Sequence, residues 1–145
     1  AKKLGIESVV VTKAEFMAAD SVIATLKKHR IDFIVLAGFL LLVPERLIQE
    51  YPQRIVNIHP ALLPKHGGKG MYGDHVHKAV VESGDTESGI TIHLIDENYD
   101  KGTTFFQAKC PVLSTDTPED VAAKVHSLEY EHFPRVIDEI IHTLD

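Results

Sequence analysis

The sequence predicts an α/β protein with an open, mostly parallel twisted sheet and helices on both of its faces. Its first half alternates short apolar runs with segments of helical periodicity, in the order βαβαβ. The run at 32–37 is apolar almost throughout, as expected of a strand that is covered on both faces. A loop-rich stretch and a long helical pattern follow, and this order of elements is typical of layered α/β folds.

The first elements are short and have clear boundaries. Gly5 has the position of a helix C-cap and precedes an apolar run at 9–12, which predicts a strand. Apolar residues recur at helical spacing over 18–30. Pro44 begins a helix that reaches Tyr51, because proline is well tolerated in the first helical turn. Strands are predicted beside these helices, at 32–37 and 54–58.

The second half begins with a loop at 63–74 that contains four glycines. A helix is predicted at 75–83, and strands are predicted at 89–95 and 105–112. Thr117 and Pro118, followed by two acids, have the pattern of a helix N-terminus. We expect this last helix to reach about Leu144, with a kink or break near Pro134.

Composition and charge exclude some classes of protein. A chain of 145 residues, 44% hydrophobic and 25% charged, has the size and balance of one ordinary globular domain. The net charge of −6 argues against a nucleic-acid partner, and no apolar stretch approaches the ~18–20 residues of a membrane span. The single cysteine, Cys110, cannot form an internal disulfide, which fits a reducing cytoplasm, and its apolar surroundings predict a buried thiol.

The strongest candidate site is formed by Asn57 and His59, which directly follow the apolar pair Ile55 and Val56. Residues i and i+2 of a strand point to the same face, so the amide and the imidazole should project together where Pro60 ends the strand. Such a pair can stabilise a carbonyl oxygen that becomes an oxyanion and can move a proton near neutral pH. The alternative is an asparagine that caps the loop and a histidine that stacks on Pro60.

Asp100 is a second candidate, within an acidic turn at 96–102. A carboxylate beside His59 would favour the protonated imidazole and fix its tautomer, or hold a water that relays a proton. Gly38, His59 and Asp100 all follow predicted strands, and ligands of open α/β sheets bind beyond the carboxyl ends of the strands. The alternative is a solvated turn in which Gly102 adopts a positive φ.

Other candidates carry weaker signals. Nine histidines invite a metal hypothesis, but His75 and His77 are two apart on a predicted helix and face different directions. Without a cysteine pair or a His-Glu-x-x-His run, no metal site is predicted. The basic, glycine-rich loop 65–73 is either a lid over an anionic substrate or a plain mobile loop. The apolar segment 38–43 is either core or one wall of a pocket.

Several segments, in this order along the chain, give it a family resemblance. They are Val35–Phe39, Asn57–Lys65, His75–Ala79, Gly89–His93, and Asp100-x-Gly102 followed by Gln107–Ala108. Together they resemble the folate-dependent formyltransferases over nearly the whole chain, in particular the members that act on glycinamide ribonucleotide. The resemblance implies the α/β formyltransferase fold, with residues 1–145 as a single catalytic domain.

The resemblance implies that Asn57, His59 and Asp100 are catalytic. The reaction would move a formyl group from the co-substrate 10-formyltetrahydrofolate to the amine of glycinamide ribonucleotide, in purine biosynthesis. Asn57 and protonated His59 would stabilise the oxyanion and Asp100 would support the imidazolium, so no metal is required. The partners would be these small molecules, with neither nucleic acid nor membrane, and the protein would be a cytoplasmic monomer or homodimer.

The resemblance also implies binding residues. Folate would contact two segments, largely through main-chain groups: Leu40, Leu41, Leu42 and Val43 together with Asn57, and the turn Asp96, Glu97, Asn98, Tyr99 and Asp100. The ribonucleotide would contact His126 and Glu129, with Glu129 accepting hydrogen bonds from ribose hydroxyls. Gly38 and Pro60 would border that site.

The chain also departs from the family pattern. Leu41 stands where arginine is common, which would weaken contact with an anionic folate tail. The family opens with a strand and a Gly/Ser-rich turn that cradles the substrate phosphate, whereas this chain opens with a helix end and without an initiator methionine. We therefore expect a chain that lacks an N-terminal βα unit.

Three other readings are compatible with parts of the pattern. A methionyl-tRNA formyltransferase should carry a further C-terminal domain with a basic face, whereas this chain is acidic. A formyltetrahydrofolate hydrolase typically carries an extra N-terminal regulatory domain. A non-catalytic folate- or nucleotide-binding module would have no need for the trio Asn57, His59 and Asp100.

Overall fold

The computed structural model describes residues 1–96 and 102–144. A short 3₁₀ helix at Lys2–Leu4 ends at Gly5, whose φ of 66° is the left-handed C-cap conformation that the sequence predicted. The helices are α1 (Lys13–Ala18), α2 (Asp20–Lys28), α3 (Glu45–Glu50), α4 (Asp74–Glu82) and α5 (Pro118–Leu144). The strands are β1 (Ile34–Leu36), β2 (Ile55–His59), β3 (Glu87–Leu94) and β4 (Thr104–Pro111).

The four strands form one open sheet in the order β1-β2-β3-β4. The predicted open α/β sheet is confirmed, and its strand directions are mixed. β1 and β2 are parallel, whereas β2–β3 and β3–β4 are antiparallel, so among the described strands the sheet is not mostly parallel. One reason is the short connection at 95–103 between β3 and β4, because a parallel pair needs a crossover of about a dozen residues or more.

Helices cover the sheet on both faces near β2, because successive side chains of that strand point in opposite directions. Val56 packs on one side into a cluster with residues of β3, α4 and α5. Its neighbour Ile55 packs on the other side into a cluster with residues of β1, α2 and α3. The strand β2 is therefore central, and its first residues lie between two packed layers.

The predicted strand at 9–12 is wrong. Residues 6–12 have no regular structure, and the side chain of Val10 is 97% exposed. The physical reason is that no described strand lies beside this segment, so its backbone groups have no ladder to join. Regular structure resumes at α1, where Thr12 and Glu15 form a capping box.

The long C-terminal helix is confirmed, and it is not broken at Pro134. Phe133, Val136 and Ile140 are buried on both sides of the proline, so packing compensates for the hydrogen bond that proline cannot donate. Cys110 is buried in β4, and burial raises the pKa of its thiol. None of the described helices is both long and apolar enough to cross a membrane.

Candidate active site

One face of β2 changes from apolar to polar toward the end of the strand. Ile55, Asn57 and His59 share this face, since alternate residues of a strand point the same way. Ile55 is fully buried in the second cluster, Asn57 is half-buried, and His59 is only 4% exposed. The structure thus brings the two predicted residues together, on a rigid strand end that its apolar residues anchor on both sides.

The neighbouring strands extend this polar surface. Asn57 lies opposite His93 and His59 lies opposite Thr91 on β3, and Thr91 lies opposite Gln107 on β4. We call these five residues the polar face. Asn57 Nδ2 donates to His93 Nε2 at 3.3 Å. Because an amide nitrogen has two hydrogens, this bond orients the Asn57 amide and leaves a second hydrogen for a ligand.

Thr91 and Gln107 fix the segment that follows His59. The Thr91 hydroxyl donates to the Ala61 carbonyl at 2.7 Å and accepts from the Leu63 N–H at 3.0 Å. Gln107 Nε2 lies 2.8 Å from Thr91 Oγ1 and 3.0 Å from the Leu63 carbonyl. These bonds satisfy buried backbone groups of an irregular segment, so they hold Pro60 and the strand end in one conformation.

His59 has a defined hydrogen-bond partner on the glycine-rich loop. Its Nε2 lies 2.8 Å from the backbone carbonyl of His66. A carbonyl oxygen only accepts, so Nε2 must carry a hydrogen in this arrangement. The backbone of the glycine-rich loop therefore orients the His59 ring.

A cleft of about 980 Å³ opens beside the polar face. Its walls come from the segment after β1, the end of β2, the glycine-rich loop and α5. The predicted site residues among its lining are Gly38, Leu40, Leu41, Leu42, Val43, Asn57, His59, Pro60, Asp96, His126 and Glu129. The predicted site residues Asp100, Glu97, Asn98 and Tyr99 lie outside the described part of the chain.

The apolar wall of the cleft has side chains of two kinds. Leu40 and Leu42 are 59% and 45% exposed, so they offer hydrophobic surface to a ligand. Val43 is 5% exposed and belongs to the second core cluster. Its side chain therefore supports the fold, and a ligand would meet mainly its main-chain atoms.

Two titratable groups of the cleft lining have shifted pKa values. Burial raises the pKa of Glu129, and nearby His126 opposes this shift. Burial also lowers the pKa of His77, and His126 lowers it further. The rings of His77 and His126 meet edge to face at 6.3 Å, and His77 is 2% exposed. The cleft therefore holds ionisable groups with shifted pKa values, which are common at functional sites.

Sequence reasoning did not assign roles to Thr91, His93, Gln107 or His77. The alternation of apolar and polar residues over 89–95 was the available signal, since it places Thr91 and His93 on one face. Among residues 1–96 and 102–144, no group of three or more His, Cys, Asp or Glu side chains is arranged to hold a metal ion.

Residues 3–137 match the Formyl transferase family, and the chain belongs to that family. It is 44% identical over 145 residues to the chloroplastic phosphoribosylglycinamide formyltransferase of Arabidopsis thaliana, covering 97% of this chain and 50% of that protein. It is 49% identical over 114 residues to the corresponding enzyme of Vigna unguiculata, covering 79% of this chain and 36% of that protein. The chain thus spans half the length or less of these curated relatives.

The fold is also that of solved members of the family. The phosphoribosylglycinamide formyltransferase of Streptococcus pneumoniae TIGR4 superposes with a TM-score of 0.86 at 35% identity, over 97% of this chain and 77% of that one. The enzyme of Bacillus halodurans superposes with a TM-score of 0.88 at 29% identity, over 99% of this chain and 74% of that one. The formyltransferase fold implied by the sequence is confirmed.

Proposed function

We propose that the protein transfers a formyl group from 10-formyltetrahydrofolate to the amine of glycinamide ribonucleotide, with residues 1–145 as one catalytic domain. The observation that carries the proposal is the pair Asn57 and His59 on one strand face, at the wall of a cleft of about 980 Å³. Relatives that are 44% and 49% identical are named phosphoribosylglycinamide formyltransferases. The cleft volume lies near the upper end of what small-molecule sites usually have, as two substrates would require.

In the proposed mechanism, the amine attacks the formyl carbon and the formyl oxygen becomes an oxyanion. Asn57 donates to that oxygen through the amide hydrogen that does not point to His93. Protonated His59 stabilises the same oxygen through Nδ1–H and then gives a proton to the departing folate nitrogen. Asp100 supports the imidazolium and, through a water, helps to remove the proton of the amine. No step requires a metal ion.

The two proposed binding sites use different parts of the cleft lining. The exposed Leu40 and Leu42 and the segment from Asp96 to Asp100 would hold the pterin ring, with Leu41 and Val43 contributing mainly main-chain groups. Glu129 and His126 on α5 would hold the ribose, between Gly38 and Pro60.

We also propose that the protein is located in the cytoplasm, although two plant relatives are named as chloroplastic. We propose that it is a monomer or homodimer and that it has no nucleic-acid or membrane partner.

The test is formyl transfer by the full-length protein, measured with 10-formyltetrahydrofolate and glycinamide ribonucleotide, alongside the variants His59→Ala, Asn57→Ala and Asp100→Ala. We expect kcat to fall at least ~100-fold in each variant, since each removes a group that acts on the transition state. His75→Ala is the matched control, because His75 is an exposed histidine of α4 outside the cleft lining. Its kcat should stay within about twofold of the wild-type value.

Three results would contradict the proposal in whole or in part. Formate release that does not depend on the ribonucleotide would identify a hydrolase instead. Folate binding without either activity would identify a binding module. A His59→Ala variant with normal kcat would remove His59 from the chemistry even if the wild-type protein is a transferase.

A further inference from the structure

A half-buried carboxylate, Asp85, binds two residues at the base of the glycine-rich loop. Lys65 Nζ donates to Asp85 Oδ1 at 2.5 Å, and His66 Nε2 donates to Asp85 Oδ2 at 2.7 Å. The side chains of His66 and Asp85 are 10% and 11% exposed, whereas that of Lys65 is 64% exposed. The hydrogen bonds from Lys65 and His66 lower the pKa of Asp85, so this carboxylate is charged at neutral pH.

The same histidine reaches the candidate active site through its backbone. The His66 carbonyl accepts from His59 Nε2 at 2.8 Å, while the His66 side chain is bound to Asp85. His66 has a φ of 53°, a left-handed conformation that is costly for a residue with a Cβ. The bond to Asp85 offsets that cost. A continuous chain of contacts thus runs from Asp85, in the turn before β3, to the imidazole at the end of β2.

We propose that Asp85 and His66 are positioning residues for His59. They hold the His66 carbonyl at His59 Nε2 and keep the ring hydrogen on that nitrogen. Neither side chain touches the substrate in this proposal. Its kinetic consequences rest on the proposed function, whereas the tautomer of His59 is a property of the folded protein alone.

The first test is the ring ¹⁵N spectrum of His59 in the full-length protein, assigned with a His59→Gln variant. The wild-type ring should be the Nε2–H tautomer. His66→Gly suits the positive φ and keeps the carbonyl but loses the bond to Asp85, and Asp85→Ala removes the partner itself. Both variants should show a mixture of tautomers. Glu87→Ala is the matched control, because Glu87 is an exposed carboxylate that pairs with Lys109 across the strands at 2.7 Å.

The second test is steady-state kinetics of the same variants. In His66→Gly and in Asp85→Ala, kcat should fall about tenfold while KM for both substrates changes less than about twofold, since the ring is displaced but still present. The double variant should be no worse than either single variant, because both act through one contact. Glu87→Ala should match the wild type.

The outcomes separate the two claims. A wild-type His59 spectrum in both variants would overturn the positioning role, as would kcat losses that multiply in the double variant. A wild-type protein that transfers no formyl group would overturn the proposed function, and the spectrum would still decide the role of Asp85 and His66.

Discussion

The two faces of the sheet near β2 and β3 are equally buried but are held in different ways. On the first face, Val56, Ile90 and Ile92 are fully buried and pack with α4 and α5. On the polar face, Thr91 and His93 are just as buried, and hydrogen bonds join them to neighbouring residues. Apolar contacts do not depend on the orientation of the side chains that make them, whereas a hydrogen bond fixes the orientation of its donor and acceptor. The first face should therefore determine stability, and the polar face should determine the geometry of the site.

The largest expected effect is on the apolar face. Ile92→Ala removes a fully buried side chain from the first core cluster and leaves a cavity. We expect the free energy of unfolding to fall by about 3 kcal/mol, within the usual range of 2–5 kcal/mol. Urea denaturation measures it. At a temperature where the variant is folded, its kcat should stay within about threefold of wild type, because the polar face is intact. A stability loss below about 1 kcal/mol would contradict this assignment.

Thr91→Val is the matched change on the polar face, one residue away. Valine has nearly the same shape but lacks the hydroxyl, so the Leu63 N–H and the Ala61 carbonyl lose their partner. A buried carbonyl and a half-buried N–H without partners should cost about 2 kcal/mol in unfolding free energy. The variant should also lose more kcat than Ile92→Ala, because the segment after His59 is no longer fixed. If the kcat values of the two variants match, the contrast between the faces is wrong.

The sequence predicted this contrast only in part. Alternation over 54–59 and 89–95 is enough to assign opposite faces to Val56 and Asn57, and to Thr91 and Ile92. It could not predict that Asn57 faces His93, because strand register depends on contacts between distant parts of the chain. The wrong strand at 9–12 has a related cause, since an apolar run becomes a strand only beside a partner.

The contacts of the glycine-rich loop also could not be predicted from the sequence. The bond between His66 and Asp85 joins residues 19 apart and depends on a left-handed backbone conformation at His66. No periodicity in the sequence encodes such a conformation at a residue other than glycine. Gly38 and His59, in contrast, were found by their position after predicted strands, because the fold class itself determines where ligands bind. The other predicted residues of the cleft, such as Leu40 and Glu129, came from the family resemblance.

The lowered pKa of His77 predicts how the free energy of unfolding depends on pH. Burial lowers its pKa, His126 and His59 lower it further, and Asp74 opposes them. In the unfolded chain a histidine gains a proton near pH 6.5, whereas folded His77 stays neutral to lower pH. Unfolding therefore takes up a proton, and stability falls as pH drops below ~6.5 toward the folded pKa, by at most about 1.4 kcal/mol per pH unit.

The measurement is the free energy of unfolding at pH 7.5 and pH 5.5, for wild type and His77→Gln. The difference between the two pH values should be smaller in the variant, because glutamine does not titrate in this range. His75→Gln is the control, since His75 lies two residues away and is exposed. The assignment fails if His75→Gln reduces the pH dependence as much as His77→Gln does.

The smallest expected effect is on substrate affinity at the α5 wall. Glu129 lines the cleft, and burial raises the pKa of its carboxyl without a described cation other than His126 nearby. If its ionised form accepts from ribose hydroxyls, Glu129→Gln keeps the size but loses an acceptor oxygen. We expect KM for the ribonucleotide to rise about three- to tenfold, with kcat within about twofold. Glu131→Gln, on the same helix with a side chain that is 70% exposed, should leave both constants unchanged. A fall in kcat at constant KM would instead give Glu129 a part in the chemistry, and the α5 wall would then share the role that is here reserved for the polar face.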